Sequence, residues 1–65
     1  MNNDLNIETR NLLKVEEVAE RLNVSQRMVY SLLRSGHLPA VHLGRSLRVK
    51  PEDLDYFIYD NRVNV

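Results

Sequence analysis

The side chains best equipped for chemistry in this chain are arginines, and their spacing groups them. Arg27, Ser31 and Arg34 follow one another at intervals of four and three, the spacing at which residues share one face of a helix. With Val29 as origin and about 100° per residue, they project at about 160°, 200° and 140°, while Leu32 and Leu33 project at about −60° and +40°. Tyr30, at about 100°, borders the polar face. Guanidinium forks and hydroxyls in this arrangement donate hydrogen bonds to anionic oxygens and flat acceptors. Arg45 and Arg48 add two more cations, and from Arg27 to Lys50 the chain holds five Lys/Arg, two His and no acid. Residues 1–13 carry Asp4 and Glu8 against Arg10, residues 14–50 carry seven cations against Glu16, Glu17 and Glu20, and residues 51–65 carry Arg62 against four acids. The segment charges of −1, +4 and −3 sum to the zero net charge of the 65-residue chain. A basic middle between acidic ends suits either a polyanionic partner or a solvated surface.

Other chemistries find little support. With no cysteine, neither disulfides nor thiolate zinc ligation is available, and the composition suits a reducing compartment. His37 and His42 stand without a Cys or carboxylate at ligand spacing. Glu52, Asp53, Asp55 and Asp60 read as the solvated side of a short helix. Ser25 lacks a neighbouring base, and helix capping explains it. No catalytic residue, metal or cofactor is therefore expected, and the chain does not read as an enzyme. Met1-Asn2-Asn3-Asp4 has neither the basic start nor the apolar stretch of a leader, and no apolar run reaches membrane-spanning length, so a cytoplasmic setting is expected.

The elements that must position these residues follow from periodicity. Residues 1–11 read as a flexible tail, 12–60 as one domain and 61–65 as a second tail. Val15, Val18, Ala19 and Leu22 have helical spacing, predicting a helix over 15–22 that ends at Asn23, a residue tolerant of the left-handed region. Ser25 predicts the N-cap of a second helix over 26–34, with Val24 as a staple-like contact and Gly36 as the C-terminal stop. Val41 and Leu43, then Leu47 and Val49, alternate with polar residues and predict a hairpin. If all four face the core, the loop must be the three residues Gly44-Arg45-Ser46, with Leu43 opposite Leu47, Val41 opposite Val49, and His42 opposite Arg48 on the outer face. Pro51, followed by Glu52 and Asp53, predicts a third helix over 51–60 with Leu54, Phe57 and Ile58 inward.

Two helices joined by a short turn, the second with a basic outer face, meet the requirements for reading the DNA major groove, where arginine can bond guanine O6 and N7 together. A basic hairpin beyond it can lie on phosphates or enter the minor groove, with Arg45 and Arg48 close to the backbone. The runs Val15-Glu16-Glu17-Val18-Ala19, Val24-Ser25, Val29-Tyr30, Gly36-His37-Leu38-Pro39-Ala40-Val41 and Gly44-Arg45 resemble the excisionase-type, MerR-like winged helix-turn-helix family over residues 12–58. The resemblance implies an α+β fold, in the order helix, helix, hairpin wing, helix, that binds double-stranded DNA. It also implies that Ser25, Gln26, Arg27, Tyr30, Ser31 and Arg34 face DNA from the second helix, and Arg45, Ser46 and Arg48 from the wing. Members of the family include recombination directionality factors that assist an integrase, and small transcription regulators. The chain departs from the family pattern at Lys14, where a capping Thr is common, and at Met28, Ser31 and Leu47.

The leading expectation is thus an excisionase-like protein with an integrase as partner, and the alternative is a small transcriptional regulator. A protein-interaction module on the same fold would show apolar residues at 27, 31 and 34, which this chain lacks. With no heptad repeat following the third helix, copies are expected to associate head to tail on DNA, the acidic end (Asp53, Asp55, Asp60) of one against the basic wing of the next.

Overall fold

The computed structural model describes residues 11–63. The expected N-terminal tail, apart from Asn11, and the last two positions of the expected C-terminal tail lie outside the described residues. The elements run β1 (Leu13–Lys14), α1 (Val15–Leu22), α2 (Gln26–Ser35), β2 (Val41–Leu43), β3 (Ser46–Val49) and α3 (Pro51–Asp60). This is an α+β fold of three helices and an antiparallel sheet in the order β1-β3-β2.

Each helix end has a local cause. Asn23 takes the left-handed conformation (φ 58°). Its N–H donates to Glu20 O at 3.2 Å while Val24 N–H donates to Ala19 O at 3.0 Å, the paired bonds that close a helix and reverse the chain. Ser25 Oγ then accepts from Met28 N–H at 3.1 Å and opens α2. Gly36, at φ 83°, ends α2 and donates to Leu33 O. Pro51 starts α3, where the carbonyl of Lys50 accepts from Asp53 and Leu54 N–H. At the head of α1, Glu17 Oε1 accepts from Lys14 N–H at 2.7 Å. This is one half of a capping box, since a lysine side chain has no acceptor to return the bond.

The core gathers one stripe from every helix. Val15, Val18 and Ala19 of α1 meet Val29 and Leu33 of α2, and Leu13, Leu38, Val49 and Leu54 complete the cluster. Val18, Val29, Leu38 and Val49 are fully buried, and each such side chain stabilises the fold by about 1.5–3 kcal/mol. Leu22, Leu32, Ala40, Leu47 and Phe57 pack around this cluster, partly buried.

Four expectations change. The hairpin turn is the two residues Gly44-Arg45, and the pairs are Val41 with Arg48, His42 with Leu47 and Leu43 with Ser46. Gly44 adopts φ 63° at the first central position, as a type II′ turn demands, and the twist of that turn matches paired strands. The one-residue shift moves Leu43 outward, 42% exposed, and puts His42 on the face shared with Leu47 and Val49. The expected parity does not hold because, of the two hairpin strands, only β3 sends its apolar residues into the core. Ile58 is 44% exposed, not inward; α3 lies on the core through Leu54 and Phe57 alone. Val24 is likewise exposed, which limits its role as a staple.

The fourth change is an added strand. β1 pairs with β3, Leu13 with Val49 and Lys14 with Arg48. Because Arg48 also pairs with Val41, Lys14, Arg48 and Val41 form one row across the sheet. Leu13 enters the core while Lys14 stays exposed.

Candidate nucleic-acid interface

The turn of Asn23, Val24 and Ser25 sets α2 against α1 so that Val29 and Leu33 point inward. Every α2 residue singled out from the sequence is then exposed: Gln26, Arg27, Tyr30, Ser31 and Arg34, with Ser25 at the cap. The guanidinium of Arg34 lies over the Tyr30 ring, its Cζ 5.8 Å from the centroid. This cation–π contact holds both side chains along the helix surface one turn apart.

A groove of about 300 Å³ runs between α2 and the hairpin. Gln26 and Tyr30 line it from α2, and Arg45, Ser46, Leu47 and Arg48 line it from the turn and β3. Five of the nine residues expected to contact DNA therefore converge on one depression. Ser25, Arg27 and Ser31 lie on the exposed surface of α2 outside it, and Arg34 borders a separate cleft with Leu33, Ala40, His42 and Leu47. Arg48 is half-buried, and its Nη1 donates to Leu47 O at 2.9 Å, which restricts where its guanidinium can point.

Two residues of the groove escaped the sequence reading. Lys14 and Glu16, with Val15 between them, complete its lining, brought there by the β1–β3 pairing. The signal was slight, since a two-residue strand has no period to detect. The alternation of Leu13 with Lys14 and the Glu three places after Lys14 were the available hints. Lys14 stands directly across from Arg48, and like charges so placed oppose folding by about 0.2–1 kcal/mol. Lys14 also precedes the positive end of the α1 dipole. Stability does not account for a lysine here. Glu16 is the one carboxylate among the groove residues, so Lys14, Arg45 and Arg48 dominate its charge.

The helix-turn-helix domain family matches residues 12–62. The chain belongs to the helix-turn-helix domain family. Helix-turn-helix domains are DNA-binding modules that place their second helix in the major groove, and DNA is the class of partner this membership supports. Among curated proteins, Bacillus subtilis YvgK, an uncharacterized protein, is 44% identical over 50 residues, covering 77% of this chain and 16% of its own length. Mycobacterium tuberculosis Rv0500A, named as a presumed DNA-binding protein, is 55% identical over 38 residues, which cover 58% of this chain and 49% of its own. The helix-turn-helix chain thus spans half or less of the length of these relatives. No solved structure matches it significantly. Among the described residues no three His, Cys, Asp or Glu gather as a metal site, and no helix is long and apolar enough to cross a membrane.

Proposed function

We propose that this helix-turn-helix chain binds duplex DNA sequence-specifically, with α2 in the major groove and the β2–β3 hairpin as a wing along the backbone. The convergence of Lys14, Arg45 and Arg48 beside Gln26 and Tyr30 carries this reading, because such cations gain most when a phosphate lies between them. In this reading Arg27 and Gln26 read base edges from the start of α2, while Ser25, Tyr30, Ser31 and Arg34 fix its depth and angle. Arg45, Ser46 and Arg48 hold the wing on phosphates. The naming of the mycobacterial relative as a presumed DNA-binding protein is in accord with this reading.

The test is affinity for a selected DNA site as a function of salt. Neutralising about four or five phosphates gives a slope near −4 in log K against log salt. An affinity that stays flat between low and moderate salt would remove the proposal.

The resemblance of Gly36–Val41 and Gly44–Arg45 to excisionases supports a narrower role, a recombination directionality factor that assists an integrase in the cytoplasm. A single α2 and wing reads few base pairs, so copies filling adjacent sites would supply the missing discrimination. Gel shifts on DNA carrying one, two and three sites test this, and strictly independent filling refutes the array. An excision assay with the cognate integrase separates the role from that of a transcription regulator, which would leave excision unchanged.

A further inference from the structure

On α3, Asp53, Tyr56, Phe57 and Asp60 fall at intervals of three, one and three, which places them on one face of the helix. That face looks onto the turn after α2, and together with Gly36, His37 and Pro39 it lines a groove of about 390 Å³. The groove shares no residue with the one between α2 and the hairpin, so both can be occupied at once. Its chemistry is opposite in sign: a carboxylate at each end and two aromatic rings between. Tyr56 is 69% exposed, far more than core packing would leave it.

We propose that this groove docks a cationic, proline-containing segment of another protein, with two basic residues three positions apart. The spacing follows from geometry. Asp53 and Asp60 are seven residues apart on a helix, about 10.5 Å along its axis. A polyproline II segment rises about 3.1 Å per residue with three residues per turn, so side chains three apart share a face and lie about 9.3 Å apart. Its prolines would then lie across Tyr56 and Phe57, as such segments do in aromatic-lined grooves. A nucleic acid is disfavoured because both carboxylates repel its phosphates. A second copy is disfavoured because the chain's own basic pair of this spacing, Arg45 and Arg48, lines the other groove, and Arg48 is held there by its bond to Leu47 O.

The experiment measures fluorescence anisotropy of a labelled Gly-Arg-Pro-Pro-Arg-Gly peptide against the full chain, with a Glu-for-Arg peptide as control. Saturable binding of the first peptide only, weakening as salt rises, is expected. Asp60→Lys should reduce it about tenfold by replacing an attraction with a repulsion, and Tyr56→Ala by about three- to fivefold. Both side chains are exposed, so each variant should fold, and each should retain the affinity of one copy for DNA carrying a single site, because neither borders the α2–hairpin groove. Absence of binding, or binding that ignores both substitutions, overturns the proposal. A salt-sensitive dimer of the free protein that Asp60→Lys abolishes also overturns it, by assigning the groove to a second copy. Loss of DNA binding by the parent would count against the DNA reading alone.

Discussion

Replacing Lys14 with threonine should make the protein more stable and a weaker DNA ligand. Lys14 precedes α1 in an extended conformation (φ −79°, ψ 159°) suited to a capping residue. Glu17 already accepts its backbone N–H at 2.7 Å, so a threonine hydroxyl would complete the box by accepting from the N–H of Glu17. That bond contributes about 1 kcal/mol. Removing a positive charge from the positive end of α1 adds about 0.3 kcal/mol at an exposed position, and relieving the contact with Arg48 adds at least about 0.2 kcal/mol. The sum, about 1–2 kcal/mol, should raise Tm by about 5–15 °C in a chain of this size. On DNA the same substitution deletes one phosphate contact. The slope of log K against log salt should shrink by about 0.9, and affinity near physiological salt should fall about fivefold. Circular-dichroism melting and anisotropy titrations at several salt concentrations read the two effects separately. An unchanged or lowered Tm would refute the cap and charge reasoning. An undiminished salt slope would show that Lys14 does not meet DNA.

The two exposed arginines of α2 should behave differently. Arg27→Ala is expected to cost about 1–3 kcal/mol in binding and to relax preference at one or two base pairs, whereas Arg34→Ala should weaken all sequences alike; a site-selection experiment showing unchanged preference for Arg27→Ala would contradict this. Leu38→Ala, at a fully buried position, should cost about 2–5 kcal/mol of stability, while Ile58→Ala, 44% exposed, should cost much less; equal losses in urea melts would contradict the burial described for α3. At Gly44 a Cβ would meet nothing within 4 Å, yet φ is +63°, so Gly44→Val should destabilise by about 1–2 kcal/mol through backbone strain alone, with hairpin amide exchange rising most.

Local signals in the chain specify its helices. Ser25, Asn23, Gly36 and Pro51 act through bonds or dihedral limits that reach no further than four or five residues, so they can be read in any short window of sequence. The outward arc of α2 is equally local, because helical spacing alone separates Arg27, Ser31 and Arg34 from Val29 and Leu33. What periodicity could not supply was the depth at which each element sits. Val41, Leu43 and Ile58 are as apolar as Val49 and Leu54, and only the packing of α1 against α2 and β3 determines which of them water still reaches. Hairpin register depended on the same information, since Gly44 permits a two-residue turn but the choice between registers depends on which strand face meets the core. The groove needed tertiary structure most of all. Lys14 reaches Arg48 through a strand of two residues whose partner lies far along the chain, and a pairing of that kind leaves no periodic trace in either segment, because its energy resides in contacts that exist only once the helices have closed the core.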